Sequence, residues 1–158
     1  MSAPLHLYDA TVLKDWVDYN GHMNDAAYAI PFSRAIDALM DRVGLDDAGR
    51  KATNHTIYTL AMQVRYHHEV KEGAPLKVSW HIIEMDQKRI RLYEWLRHGE
   101  DGTLLATSEQ LLASVDQSGP KIAPFPDAVL AKLQAICEDQ KSLAVPDDAG
   151  LGIALKRK

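Results

Sequence analysis

The chain changes its hydrophobic period once, and that switch limits the folds open to it. Between residues 25 and 43, Phe32, Ile36, Leu39, Met40 and Val43 recur at spacings of three and four, the apolar stripe of one helix that stops at Gly44. From Asn54 onward the period is two. Leu60, Met62, Val64 and Tyr66 alternate with Ala61, Gln63, Arg65 and His67, and Leu76, Val78, Trp80 and Ile82 form the next run. Residues 89–98, with Ile90, Leu92, Tyr93, Trp95 and Leu96, form a third run, and residues 104–115 the last. Glu72-Gly73-Ala74-Pro75, Asp86-Gln87 and Glu100-Asp101-Gly102 separate these runs as turns. An earlier strand is expected at residues 5–14, where Leu5, Leu7, Val12 and Leu13 sit among polar residues.

Each strand pattern has one apolar face, and the helix is the one element long enough to cover those faces. The predicted fold is therefore α+β, a five-stranded antiparallel sheet wrapped around a long central helix. It occupies a single domain, residues 1–140, with a short amphipathic helix near residues 127–137 and a mobile tail over residues 141–158. Asn24 is the expected N-cap of the central helix. Pro31 lacks a backbone donor and predicts a kink or an irregular first turn. A curled sheet leaves an edge strand, and such edges are usually paired, covered or charged. Pairing of two copies predicts self-association as a homodimer or a dimer of dimers.

Composition removes several function classes. The 158 residues suit one domain, 46% of them apolar and 25% charged, an ordinary globular balance. A net charge of -4 argues against a nucleic-acid partner. Cys137 is the single cysteine, so no intrachain disulfide forms and a reducing compartment fits. The first six residues lack the basic and apolar regions of a signal peptide, and no apolar run approaches the roughly 20 residues of a spanning helix. A cytoplasmic protein without a membrane partner is expected. There is no Gly-x-Ser-x-Gly elbow and no Gly-rich phosphate loop. Tyr66-His67-His68-Glu69 has metal-ligand residue types. Adjacent histidines on a strand face opposite ways, however, so no metal is expected.

The informative stretch is Trp16-Val17-Asp18-Tyr19-Asn20-Gly21-His22-Met23-Asn24-Asp25-Ala26-Ala27-Tyr28, a polar loop feeding the start of the central helix. A helix N-terminus offers unpaired N–H groups and the positive end of a dipole, which suits a developing oxyanion. With the element order, this stretch resembles the 4-hydroxybenzoyl-CoA thioesterase branch of the hotdog superfamily. That branch places Asp, two residues and Gly just before the helix, here Asp18, Tyr19, Asn20 and Gly21. His22, Met23, Asn24 and Tyr28 are similar to its Gly-His-Val-Asn…Tyr continuation, and the resemblance covers residues 5–118. It implies a hotdog fold and hydrolysis of an acyl-CoA, with no cofactor beyond the CoA of the substrate. It further implies that Asp18 attacks the thioester or activates water and that the backbone N–H of Asp25 polarises the carbonyl. Gly21 would let the backbone approach the substrate, and Asn24 would orient water or cap the helix. His22 is expected to line the pocket rather than act as the base.

The wider wording includes the Thr59 to Val70 strand, Lys88-Arg89, Ala-Thr-x-Glu-Gln at residues 106–110 and Pro124-Phe125-Pro126. It is similar to the betainyl-CoA thioesterases of carnitine catabolism, which implies glycine betaine and CoA as products. A trimethylammonium group is held by aromatic faces, helped by a carboxylate. Trp16, Tyr19, Tyr28, Tyr58, Tyr66 and Trp95 are the candidate cage, and Glu94 and Glu109 the candidate charges. Arg65, Lys88, Arg89, Arg91 and Arg97 are candidates for the phosphates of CoA. Two other readings stay open: a thioesterase for aromatic or fatty acyl-CoA, and a non-catalytic acyl-CoA-binding module. A hotdog dehydratase fits less well, because the Asp18 to Gly21 run does not match its pattern.

Overall fold

The computed structural model describes residues 4–155; the basic end of the tail, residues 156–158, lies outside the described residues. The strands are β1 (Leu5–Thr11), β2 (His55–Tyr66), β3 (Pro75–Met85), β4 (Arg89–His98), β5 (Leu104–Asp116) and the two-residue β6 (Lys121–Ile122). The helices are α1 (Ala29–Val43), α2 (Asp47–Thr53) and α3 (Asp127–Gln140). All strand pairs are antiparallel in the order β1-β3-β4-β5-β2, and β6 pairs with the end of β5. The sheet curls around α1, the arrangement expected from the single period switch.

Pro31 has the predicted consequence. A 3-10 turn at Asp25–Tyr28 precedes the α-helix, which begins at Ala29. Pro31 thus falls in the first turn, where a missing N–H leaves no intrahelical bond unmade. The helix ends on Gly44 in the left-handed region at φ 92°, with the Gly44 N–H on Asp41 and Met40 carbonyls. Helix α2 was not legible in the sequence: it buries no residue and has no apolar stripe, and Asp46 caps it through the Gly49 N–H.

Helix α1 covers two apolar clusters on the inner face of the sheet. One gathers Ile36, Leu39, Met40 and Val43 with Ile57, Trp80, Ile82, Ile90, Leu92, Leu112 and residues of α3. The other gathers Met23, Tyr28, Phe32 and Ala35 with Leu76, Val78, Leu96 and Ala106. Between them the inner face turns polar. Glu94 follows Leu92 and precedes Leu96 on β4, paired in register with Ser108 of β5, and Gln110 stands beside them.

Two bulges shift the simple alternation. In β2, Thr59 pairs with Leu112 but Ala61 with Leu111, so Leu60 is an extra residue. Ile57 and Thr59 face inward before the bulge, and Met62, Val64 and Tyr66 after it. Leu60, expected inside with the latter three, is 47% exposed. In β3 the register shifts between Ile82 and Glu84, which sends Glu84 to the outer face beside Arg91.

Beyond the reach of β1, the free edge of β3 is closed by a side chain. The Gln140 amide accepts from Ile82 N–H at 2.9 Å and donates to Trp80 C=O at 3.0 Å, a strand pair made by one residue. At the opposite edge, β2 has no partner on its far side among the described residues. The tail after Gln140 crosses the outer face of the sheet. The Tyr93 hydroxyl donates to Asp148 at 2.7 Å, Gly150 N–H donates to Glu109, and Arg65 donates to Leu151 C=O at 2.7 Å. No helix among the described residues is long and apolar enough to cross a membrane.

Candidate active site

The loop before α1 is a closed turn. Val17 bridges to Met23, and Asp18 N–H donates to His22 C=O while Gly21 N–H donates to Asp18 C=O, both at 3.0 Å. The Asp18 carboxylate is held by Asn20 N–H at 2.8 Å on Oδ1, and Oδ2 has no partner among the described residues. Gly21 sits at φ 77°, and a Cβ there would meet nothing within 4 Å. Its requirement in this chain is therefore the left-handed backbone of the turn. A second bridge, His22 to Lys71, and Met23 N–H on Val70 C=O tie the loop to the connection that follows β2.

Asn24 caps the 3-10 turn, its side chain accepting from Ala26 N–H at 3.0 Å, while its own N–H donates to Trp16 C=O. Asp25 is the first residue of the turn, so its N–H has no intrahelical acceptor. The Asp25 side chain accepts from Ala26 N–H, and its carbonyl accepts from the Tyr66 hydroxyl at 2.9 Å. The peptide that presents the Asp25 region is thus tethered from β2.

A cleft of about 320 Å³ opens here, lined by Asp18, Asn20, His22, Met23, Asp25, Tyr28, Tyr66, His67, His68 and Glu69. Tyr28 and Tyr66 meet edge to face with centroids 5.2 Å apart. Burial, with Glu69 and Tyr66 adding to it, raises the Tyr28 pKa; burial and then Asp25 raise that of Tyr66. Both phenols therefore keep their protons at neutral pH, and the Tyr28 hydroxyl donates to His68 C=O at 3.3 Å. His22 Nε2 lies 3.2 Å from Glu69 Oε2. Three carboxylates and two phenol rings line the cleft, and no lysine or arginine does.

Of the expected site residues, Asp18, Asp25, His22, Tyr28 and Tyr66 come together in the cleft. Asn24 and Gly21 shape its loop. Tyr19 is 97% exposed at the tip of the turn. Trp16 lines a different cavity, with Tyr8, Ile30 and Arg34. Tyr58 and Trp95 are on the outer face of the sheet, Trp95 packed on Tyr93. Arg65, Arg89 and Arg91 are each engaged in an ion pair. Cys137 packs half-buried against the core, and burial raises its thiol pKa.

His67, His68 and Glu69 were not expected as site residues. The strand ends at Tyr66, so the rule that neighbours face opposite ways no longer holds beyond it. His67 and His68 N–H groups both donate to Leu105 C=O, which turns the chain and leaves both residues on the cleft. Their signal in the sequence is the polar run Tyr66-His67-His68-Glu69, read there only as a metal question.

The family model of the thioesterase-like superfamily matches residues 12–133. The chain belongs to that superfamily. It is 43% identical to a betainyl-CoA thioesterase of Pseudomonas aeruginosa, over 98% of each chain. A solved structure of a putative thioesterase from Pseudomonas putida KT2440 is 38% identical, covering 99% of this chain and 100% of the other, at a TM-score of 0.84. A Staphylococcus aureus protein solved in complex with CoA is 27% identical, covers 99% of both chains and superposes at a TM-score of 0.88. The hotdog thioesterase fold expected from the Asp18 run is the fold these relatives share.

Proposed function

We propose that this chain is an acyl-CoA thioesterase that hydrolyses betainyl-CoA to glycine betaine and CoA. The observation that carries the reading is the match to the Pseudomonas aeruginosa betainyl-CoA thioesterase, which runs the length of both chains. The lining of the cleft supports it. A fixed cation on the acyl group suits an acidic, tyrosine-walled cleft and is poorly suited to a basic one.

The thioester carbonyl lies near the Asp25 N–H, whose hydrogen bond strengthens as charge develops on oxygen. Asp18 supplies the carboxylate, by attack or by activating water; either way water adds, the C–S bond breaks, and the sulfur leaves as the CoA thiol. Tyr66 holds the Asp25 peptide in place through its carbonyl. No cofactor or metal enters this scheme. His22, paired with Glu69, and Tyr28 form the wall beside the acyl group.

The protein works as a homodimer, or a dimer of dimers, in the cytoplasm. The support for self-association is the unpaired β2 edge, where Tyr58 and Leu60 are 45% and 47% exposed. Light scattering at micromolar concentration is expected to give at least the dimer mass; a monomer removes this part of the reading.

Thiol release from betainyl-, acetyl-, benzoyl- and long-chain acyl-CoA tests the activity. The expected result is a kcat/KM highest for betainyl-CoA. A preference for another acyl group would leave the thioesterase and overturn its substrate, and binding without hydrolysis of any of the four would favour an acyl-CoA-binding module.

A further inference from the structure

Glu94 is fully buried on the inner face of the sheet, under α1. Gln110 Nε2 donates to one of its oxygens at 2.7 Å, and Oε1 has no partner among the described residues. Its cross-strand neighbours are Trp80 of β3 and Ser108 of β5, and among the described residues burial, Gln110 and Ser108 are what act on it, with no charged group beside them. Glutamine here would bury no latent charge and would pair with Gln110 as an amide. A carboxyl group instead costs stability unless something offsets it.

The register relates this group to the cleft. Tyr66, Ala106 and Leu96 form one row across the inner face, and Val64, Ser108 and Glu94 form the next. By sheet spacing, the Glu94 backbone lies about 12 Å from that of Tyr66. The intervening material is the cluster of Met23, Tyr28, Leu96 and Ala106, whose first two members line the cleft. A charge at Glu94 is therefore felt in the cleft through protein of low polarity, with little screening by water.

We infer that Glu94 is a specificity-determining carboxyl: placed behind the apolar floor of the cleft, it gives up its proton when a cation is bound there and so favours an acyl group bearing a fixed positive charge over a neutral one of the same shape. The inference rests on the thioesterase reading above and names the residue behind its charge preference. Glu94 does not touch the reacting atoms. It acts through its field, which attracts the cation equally before and during the chemical step, so its effect falls on KM rather than kcat.

The test, run above pH 8 where the Glu94 carboxyl ionises, compares betainyl-CoA with tert-butylacetyl-CoA, in which carbon replaces the quaternary nitrogen. In Glu94→Gln, the ratio of kcat/KM for the cationic over the neutral substrate is expected to fall on the order of tenfold, mainly through KM for the cation. Glu94→Leu, which matches the neighbouring Leu92 and Leu96, repeats the comparison should the amide variant not fold. A ratio in the folded variant equal to that of the unaltered enzyme overturns the inference while leaving the thioesterase reading intact. If the unaltered enzyme fails to hydrolyse betainyl-CoA, it is the substrate reading that falls, and this inference with it.

Discussion

On the outer face of the sheet Glu109 meets Arg91 at 2.9 Å and the backbone N–H of Gly150, while one strand away on the inner face Glu94 is sealed off with a neutral amide as its donor. The outer face is knitted by ion pairs: Arg91 also meets Glu84 at 2.8 Å, and Arg65 meets Asp148 at 3.6 Å. The Tyr93 hydroxyl donates to the same Asp148, and its pKa is pushed up to about 12, by burial first. On the inner face burial pushes the Glu94 carboxyl up to about 8, against the opposing pull of Gln110 and Ser108. The same residue type thus fastens the tail on one face and stores an unmet charge requirement on the other. The candidate cleft opens on the inner face, at the head of α1.

Four substitutions sharpen or break that contrast. The largest effect is expected for Asp18→Asn, which should lower turnover by about a thousandfold at nearly unchanged melting temperature, since the amide oxygen can still accept from Asn20 N–H in the turn. Steady-state thiol release and circular dichroism check it, and turnover near that of the unaltered enzyme would take the chemistry away from this end of the helix.

Next comes the stability of Glu94→Gln. The raised pKa means that the native state keeps a proton that the unfolded chain releases. Stability is therefore greatest below the unfolded value of 4.5 and is lost as pH rises to about 8. Glutamine removes this loss, so the variant should be more stable than the unaltered protein by roughly 3 kcal/mol at pH 7, with little difference near pH 4. Urea melts at the two pH values measure it; equal midpoints at pH 7 would show that the inner face stores no such cost.

A smaller effect is expected for Tyr66→Phe. It removes the hydroxyl on Asp25 C=O and keeps the ring against Tyr28, so kcat should drop about tenfold with KM little changed. An unaltered kcat would mean that the tether does not position the Asp25 peptide. The smallest belongs to the outer face. Glu109→Gln leaves Arg91 its second partner, Glu84, and should cost about 1 kcal/mol of stability, screened by salt, with kcat/KM unchanged. A tenfold loss of activity there would contradict the division between the two faces.

Much of the fold was legible because local patterns agree with it. The stripe from Phe32 to Val43 finds the sheet, Asn24 caps, and Pro31 coincides with an irregular start. Leu76, Val78, Trp80 and Ile82 are all buried. The bulges at Leu60 and between Ile82 and Glu84 were not legible, since one extra residue reverses the facing of everything beyond it and leaves no mark on composition. Among the aromatic residues, composition ranked Trp16, Tyr19, Tyr28 and Tyr66 alike, and only the path of the chain separates the last two from the others.

The sequence by itself determined the helix, the order of the strands and the Asp18 loop at the helix start, because each depends on residues close along the chain: a period, a cap, a left-handed glycine. Tertiary structure alone decided which glutamate is paired and which is buried, and which histidines face the cleft. Those outcomes depend on register between strands distant in sequence. Glu109 and Glu94 each stand in an alternating strand among similar neighbours. The pairing of β4 with β5, and the tail that returns to Gly150, put a cation and a peptide against one of them and only apolar and neutral groups around the other.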